Sequence, residues 1–184
     1  VLLGFSGQLS IGQAAFYGIG AYASALLTTK LGVPFPLALL GSGIAAAIAS
    51  LLMVPITRLT GAYLAVATLG FIIIVYLLLK NDEWLTGGSF GFMQIPRASL
   101  FGYVLRDAKY SYYLCVGVAA IVYFAFAQLR GSRFGRAINA IRQDEDAARA
   151  SGIRVTLLKS ECFVIAAFVA GVAGSLYAHE VRYL

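Results

Sequence analysis

Charge is scarce in this sequence. Of 184 residues, 14 are Lys or Arg, 8 are Asp or Glu and one is His, so charged residues make up only 12%. A soluble domain carries about 25% charged and about 45–50% apolar residues. Here the hydrophobic share is 60% and the mean hydropathy is +0.84. That leaves too little polar surface to cover a water-soluble globule, whereas lipid accepts apolar side chains all round a helix. Cysteine is scarce too. Cys115 and Cys162 alone make neither a disulfide framework nor a zinc site. Each lies in an apolar run and reads as a small buried hydrophobe.

Several motifs are missing. The glycine-rich run Thr86-Gly87-Gly88-Ser89-Phe90-Gly91 lacks the Gly-Lys-Ser/Thr ending that reaches nucleotide phosphates, so it is a tight loop and not a phosphate cradle. No positively charged n-region with a cleavage site opens the chain, so Val1 onward does not read as a signal peptide. The start at Val1 and the close at His179-Glu180-Val181-Arg182-Tyr183-Leu184, without a polar tail, suggest one incomplete membrane domain over 1–184.

What is present is a series of apolar runs of span length. A membrane-crossing helix needs about 20 mainly apolar residues. Charges punctuate the sequence at about that interval, giving candidate spans at Val1 to Thr29, Lys30 to Arg58, Gly61 to Leu79, Tyr110 to Leu129 and Cys162 to Ala178. The fifth is the shortest. Buried soluble helices are the alternative, but five such runs left wet would cost tens of kcal/mol at about 25 cal/mol per Å². Membrane barrel strands are about 10 residues long and alternate in polarity, and these runs do neither. The expected fold is all-α: a polytopic transmembrane bundle of about five spans with short cytoplasmic helices.

Small residues recur at four-residue spacing. Ala167, Gly171 and Ser175 share a face of the fifth span, and Ala170, Gly174 and Ala178 a neighbouring one. Gly41, Ala45 and Ala49 do the same in the second. Such stripes let helix backbones approach closely in lipid.

The net charge of +6 does not point to nucleic acid. Arg130, Arg133, Arg136, Arg142, Arg149, Arg154 and Lys159 lie between two apolar spans, as the positive-inside rule predicts for a cytoplasmic loop. The segment 80–109 also carries Lys80, Arg97, Arg106 and Lys109. With five spans, however, only one orientation puts the seven-base loop inside. That makes 131–159 cytoplasmic and 80–109 external, and it separates Cys115 from Cys162.

The loop 131–159 is patterned. Ser132 suits the cap of a short helix with Phe134, Ala137, Ile138 and Ile141 on one face. Asp144, Glu145 and Asp146 then open a second short helix, where the helix dipole favours carboxylates. It runs through Ala147 and Ala148 to Gly152, a C-terminal cap. As a catalytic carboxylate cluster these three lack a base, a metal ligand or a pocket nearby, so no catalytic or metal site is expected.

Gln8, Ser10 and Gln13 interleave with Gly4, Gly7 and Gly12 in an uncharged stretch. Polar, glycine-interrupted helix at membrane depth is tolerated where it faces protein or a watery cavity. These three residues are therefore candidates for a solute path, with a helix start at the interface as the alternative. His179, alone at a span end, reads as an interfacial polar residue.

Asp146-Ala147-Ala148, followed after three residues by Gly152, resembles the coupling loop of ABC importer permeases. The wider run Gly135-Arg136-Ala137-Ile138 to Gly152-Ile153 resembles the branched-chain amino acid permeases of the LivM type. So do the opening Gly4-Phe5-Ser6-Gly7-Gln8-Leu9-Ser10-Ile11-Gly12-Gln13, the run 85–91 and the run 168–178. The pieces stand in the family's order over nearly the whole chain. Asp146 replaces the Glu of the general coupling motif, and Gln13 stands where many relatives carry His.

The resemblance implies a permease subunit of a binding-protein-dependent importer in a bacterial or archaeal plasma membrane. It implies further spans beyond both ends of this sequence, a second permease subunit, cytoplasmic ATPase subunits that bind ATP and Mg, and an external solute-binding protein. Asp144, Glu145, Asp146, Ala147, Ala148 and Gly152 would receive the ATPase. This chain would hold no cofactor of its own and would not be an enzyme. The implied solutes are branched-chain or other hydrophobic amino acids. A urea or amide permease of the same family is one alternative, and an ion-coupled secondary transporter another. The latter is disfavoured because no ionisable residue lies deep in any span.

Overall fold

The computed structural model describes residues 10–59, 62–81, 95–100, 103–104 and 108–183. Gln8 and the glycine-rich run 86–91 lie outside the described residues. Helix α1 spans Gln13–Thr29 and α2 spans Phe35–Leu51, followed by a 3₁₀ turn at Val54–Arg58. Helix α3 spans Ala62–Asn81 and α4 spans Ala108–Gly131. The short helices α5, Arg133–Gln143, and α6, Glu145–Ala150, lead into α7, Val155–Val181. Two antiparallel two-residue strands, β1 at Ser99–Leu100 and β2 at Tyr103–Val104, pair within the 80–109 segment.

Sequence signals account for the boundaries. Gly32, at φ +62°, makes the turn after α1, because glycine alone enters that region without a Cβ penalty. Pro34 and Pro36 stand at the start of α2, where a missing N–H costs no helical hydrogen bond. Helices α3, α4 and α7 are long and apolar enough to cross a membrane. Helices α1 and α2 have 17 residues each, or about 25 Å at 1.5 Å per residue, which is the short end of what a span needs.

The fifth span departs from expectation. It begins at Val155, not Cys162, and at 27 residues it is the longest helix and not the shortest. Lys159 and Glu161 look like a span boundary in the sequence. In the fold they lie in the first turns of α7, with Lys159 neutralised by an ion pair and Glu161 exposed.

Helix α7 is the centre of the bundle, and α1 and α2 pack along it through small residues. A Cβ built on Gly20 of α1 would run into the backbone of Gly171 of α7. One built on Gly171 would meet the Ala46 methyl of α2 at 2.6 Å and the Ser42 carbonyl oxygen at 2.7 Å. Gly174 lies equally close to the Tyr17 carbonyl oxygen. The stripes expected on the fifth span thus do bring helices together. The one on α2 is offset: Ala38, Ser42, Ala46 and Ser50 are the fully buried positions. Gly41, Ala45 and Ala49 are only partly buried, with Gly41 turned to Leu27 of α1. The buried set is the one that faces α7, where Ser42 and Ala46 flank Gly171.

Aromatic rings fill the end of the bundle nearest α5 and α6. Phe16 packs edge-on against Phe163 at 5.5 Å and, tilted, against Phe71 of α3 at 5.4 Å. Cys162 is buried beside them and Cys115 is exposed on α4; neither is in a disulfide. Helix α4 stands apart, with no residue of its span buried. Between it and α7 runs an open groove of about 1030 Å³, walled by residues such as Val118, Val122, Val169 and Ala173, with Arg130 and Arg136 at its end.

Candidate functional site

The helix pair α5–α6 is built by local hydrogen bonds that the sequence signals. Ser132 accepts from the Gly135 N–H at 3.2 Å and donates to the Leu129 carbonyl at 2.6 Å, fastening α5 to the end of α4. Helix α5 then turns Gly135, Ile138 and Ile141 inward. Asp144 caps α6: its Oδ1 accepts from the N–H groups of Asp146 and Ala147 at 2.9 and 3.0 Å. Glu145 and Asp146 stand in the first turn, where the helix dipole stabilises their charge.

Helix α6 ends in a Schellman arrangement. The Ile153 N–H donates to the Ala148 carbonyl and the Gly152 N–H to the Arg149 carbonyl. Gly152 has φ +82°, and the space where its Cβ would go is open. A side chain there is opposed by backbone strain and not by a clash.

Ala148 requires a correction. Its small size suggests a residue that fits into a groove on a partner. Instead it is 4% exposed and packs within this chain against Ile141 and Val155, with Ile153 and Leu158 alongside. Ala148 is small so that α6 can lie on α5 and on the start of α7. The exposed face of α6 is formed by Asp146, Ala147, Arg149 and Ala150.

Glu145 ties this pair to the bundle. Its Oε2 is 2.6 Å from Lys159 Nζ on α7, and its Oε1 is 3.1 Å from Arg149. The Lys159 side chain is 9% exposed. The sequence gives no direct sign of this contact, because Lys159 reads as a loop cation.

The polar start of α1 lies elsewhere. The Ile11 N–H donates to Thr68 Oγ1 of α3 at 3.3 Å, and Gly12 leaves room for Thr68. Ser10 Oγ and Gln13 Nε2 are buried, and among the described residues neither has a hydrogen-bond partner. Such a group costs about 1–3 kcal/mol when left unpaired in a dry interior. Ser10 and Gln13 are not among the residues that line the groove between α4 and α7.

A third polar constellation escapes the sequence reading. His179, in the last turn of α7, is only 3% exposed. Its Nδ1 lies 2.7 Å from the Pro96 carbonyl oxygen, and its Nε2 lies 3.0 Å from Ser24 Oγ. Ser24 Oγ is in turn 2.7 Å from Ser175 Oγ. A carbonyl can only accept, so Nδ1 carries the proton, and in the neutral ring Nε2 accepts from Ser24. The spacing of Ser175 and His179, four apart on one helical face, was the available signal.

The chain matches the family described as branched-chain amino acid transport system / permease component over residues 1–183. It is 37% identical over 202 aligned positions to the high-affinity branched-chain amino acid transport system permease protein LivM of Salmonella typhimurium, and equally to that of Escherichia coli. Each alignment covers 97% of this chain and 48% of the relative. The chain therefore spans about half the length of the curated relatives it matches. No solved structure matches it.

Proposed function

This chain belongs to the branched-chain amino acid transport permease family, and from that premise we propose that it forms part of the solute path of an ATP-driven importer. The importer sits in a bacterial or archaeal plasma membrane, with this chain crossing several times. The solutes are branched-chain or other hydrophobic amino acids, in keeping with the names of the relatives. Hydrolysis of ATP, with its Mg, falls to cytoplasmic ATPase subunits. A second permease subunit and an external solute-binding protein complete the assembly.

The observation that carries this reading is the helix pair α5–α6, capped at Ser132 and Asp144, closed at Gly152 and pinned to the base of α7. An importer driven by a separate ATPase needs such a surface: rigid, basic in its surroundings and joined to a membrane helix. The positive-inside rule puts 131–159 in the cytoplasm, where an ATPase is available. Asp144, Glu145 and Asp146 shape α6, Ala147 presents its outer face, Ala148 seats it on the bundle, and Gly152 sets its exit.

The test is ATPase co-purification with the full-length permease. Ala147→Trp, on the exposed face, is expected to lower both association and uptake while membrane protein stays near normal. Gly152→Val is expected to lower association through the strained turn. Normal association and uptake in both variants would remove α6 as the docking element. Comparing leucine with urea as transported solute decides between the two substrate classes.

A further inference from the structure

We infer that the Lys159–Glu145 ion pair is a rigid link that makes α7 move with α6, so that Lys159 is a positioning residue for coupling and not only a structural cation. The inference rests on the docking reading above and names the contact through which a docked partner would act.

Four observations carry it. First, the pair joins two separate elements, Glu145 in the first turn of α6 and Lys159 in the second turn of α7, at 2.6 Å. Second, Glu145 is held at both oxygens, by Lys159 and by Arg149. The Arg149 contact, within α6, orients the carboxylate toward Lys159. Third, an apolar seam of Ile141, Ala148 and Val155 lies beside the pair. A seam of smooth side chains resists separation but permits sliding, because hydrophobic attraction is not directional. A charge-assisted hydrogen bond fixes distance and direction, and the Lys159 side chain, 9% exposed, is largely shielded from screening.

Fourth, α7 cannot absorb a displacement by itself. Gly20 and Gly174 place α1 at backbone distance from it, and Ser42 and Ala46 of α2 flank Gly171. Close-packed helices move as units or shift to a second packing. A shove on α6 is thus passed through Glu145 to Lys159, along α7, and into α1 and α2. The chain entering α1 holds Ser10 and Gln13, whose Oγ and Nε2 atoms are buried without a partner among the described residues.

The test uses the full-length permease with its ATPase in liposomes. Uptake per ATP hydrolysed is measured alongside ATPase pull-down. Lys159→Met keeps the apolar stem and removes the charge, and Glu145→Gln removes the charge from the other side. Lys159→Met, outside α6, is expected to bind ATPase normally, and both variants are expected to lose about fivefold or more in uptake per ATP, the size of a positioned coupling contact. The double variant should lose no more than either single one, because the link is already gone. Normal uptake per ATP in Lys159→Met would overturn the link. So would additive losses in the double variant, or single variants that merely fail to accumulate. Failure of the docking reading looks different: Ala147→Trp would then bind ATPase as well as the parent protein, whatever the Lys159 variants do.

Discussion

Gly20 of α1 and Gly171 of α7 meet backbone to backbone, so that a methyl group on Gly20 would fall on the Gly171 main chain. Without this approach α1 could not bring Ser24 to Ser175. In lipid the attraction between helices comes from such packing and not from the exclusion of water.

Gly20→Ala is expected to destabilise the bundle by about 1–3 kcal/mol, the usual cost of overpacking. Gly70→Ala in α3 is the control, because no described atom lies within 4 Å of the added methyl. It is expected to be neutral or slightly stabilising, by up to about 1 kcal/mol, since alanine is the better helix former. Thermal unfolding of the two variants in detergent compares them. Equal midpoints would mean that the Gly20–Gly171 approach is not a tight one.

His179→Leu is expected to loosen the segment 95–98 from the helices. The change removes the bond to the Pro96 carbonyl and leaves the Ser24 hydroxyl with Ser175 alone, at about 0.5–1.5 kcal/mol for each hydrogen bond lost. Proteolysis near Pro96 reads this out and should be faster in the variant. Ser24→Ala combined with His179→Leu should cost less than the sum of the two, because the residues share one network. Strict additivity would show that the chain from Ser175 to Pro96 is not a unit.

Topology can be read by labelling. Single cysteines at Ser132 and Ser99, in a background without Cys115 and Cys162, are exposed in whole cells to an impermeant thiol reagent. The positive-inside rule predicts labelling at Ser99→Cys and none at Ser132→Cys. The two positions fall on opposite ends of the bundle: Ser132 joins α4 to α5, whereas Ser99 follows the Pro96 that meets His179 near the end of α7. The reverse labelling pattern would invert the whole orientation.

The solute path has its own test. Replacement of Ser10 and Gln13 by Leu is expected to reduce uptake severalfold while leaving the protein inserted, because a polar lining is lost and no hydrogen bond among the described residues is broken. Adding Gln8→Leu extends the same polar run. If the triple variant transports normally, the segment is only a helix start.

Much of this was legible in the sequence because it depends on neighbours along the chain. The scarcity of charge requires lipid around the helices. Ser132, Asp144 and Gly152 set the boundaries of α5 and α6 through hydrogen bonds and dihedral preferences within a few residues. The small-residue stripe on α7 follows from helical spacing, and so does the bundle it supports. The family, too, was legible, because its motifs are local strings in a fixed order.

Tertiary structure decided the rest. Lys159 and Glu161 look like the end of a loop, yet they belong to the longest helix, because a cation at a span end is tolerated once Glu145 faces it. Ala148 looks like a docking residue until Ile141 and Val155 are seen to cover it. His179 shows no partner in the sequence; Ser24 and Pro96, 155 and 83 residues away, close on its two nitrogens only in the fold. Periodicity tells which residues share a face. It cannot tell which face turns to which neighbour, since in a bundle whose helices are apolar all round that choice rests on shape and a few buried polar contacts between distant segments.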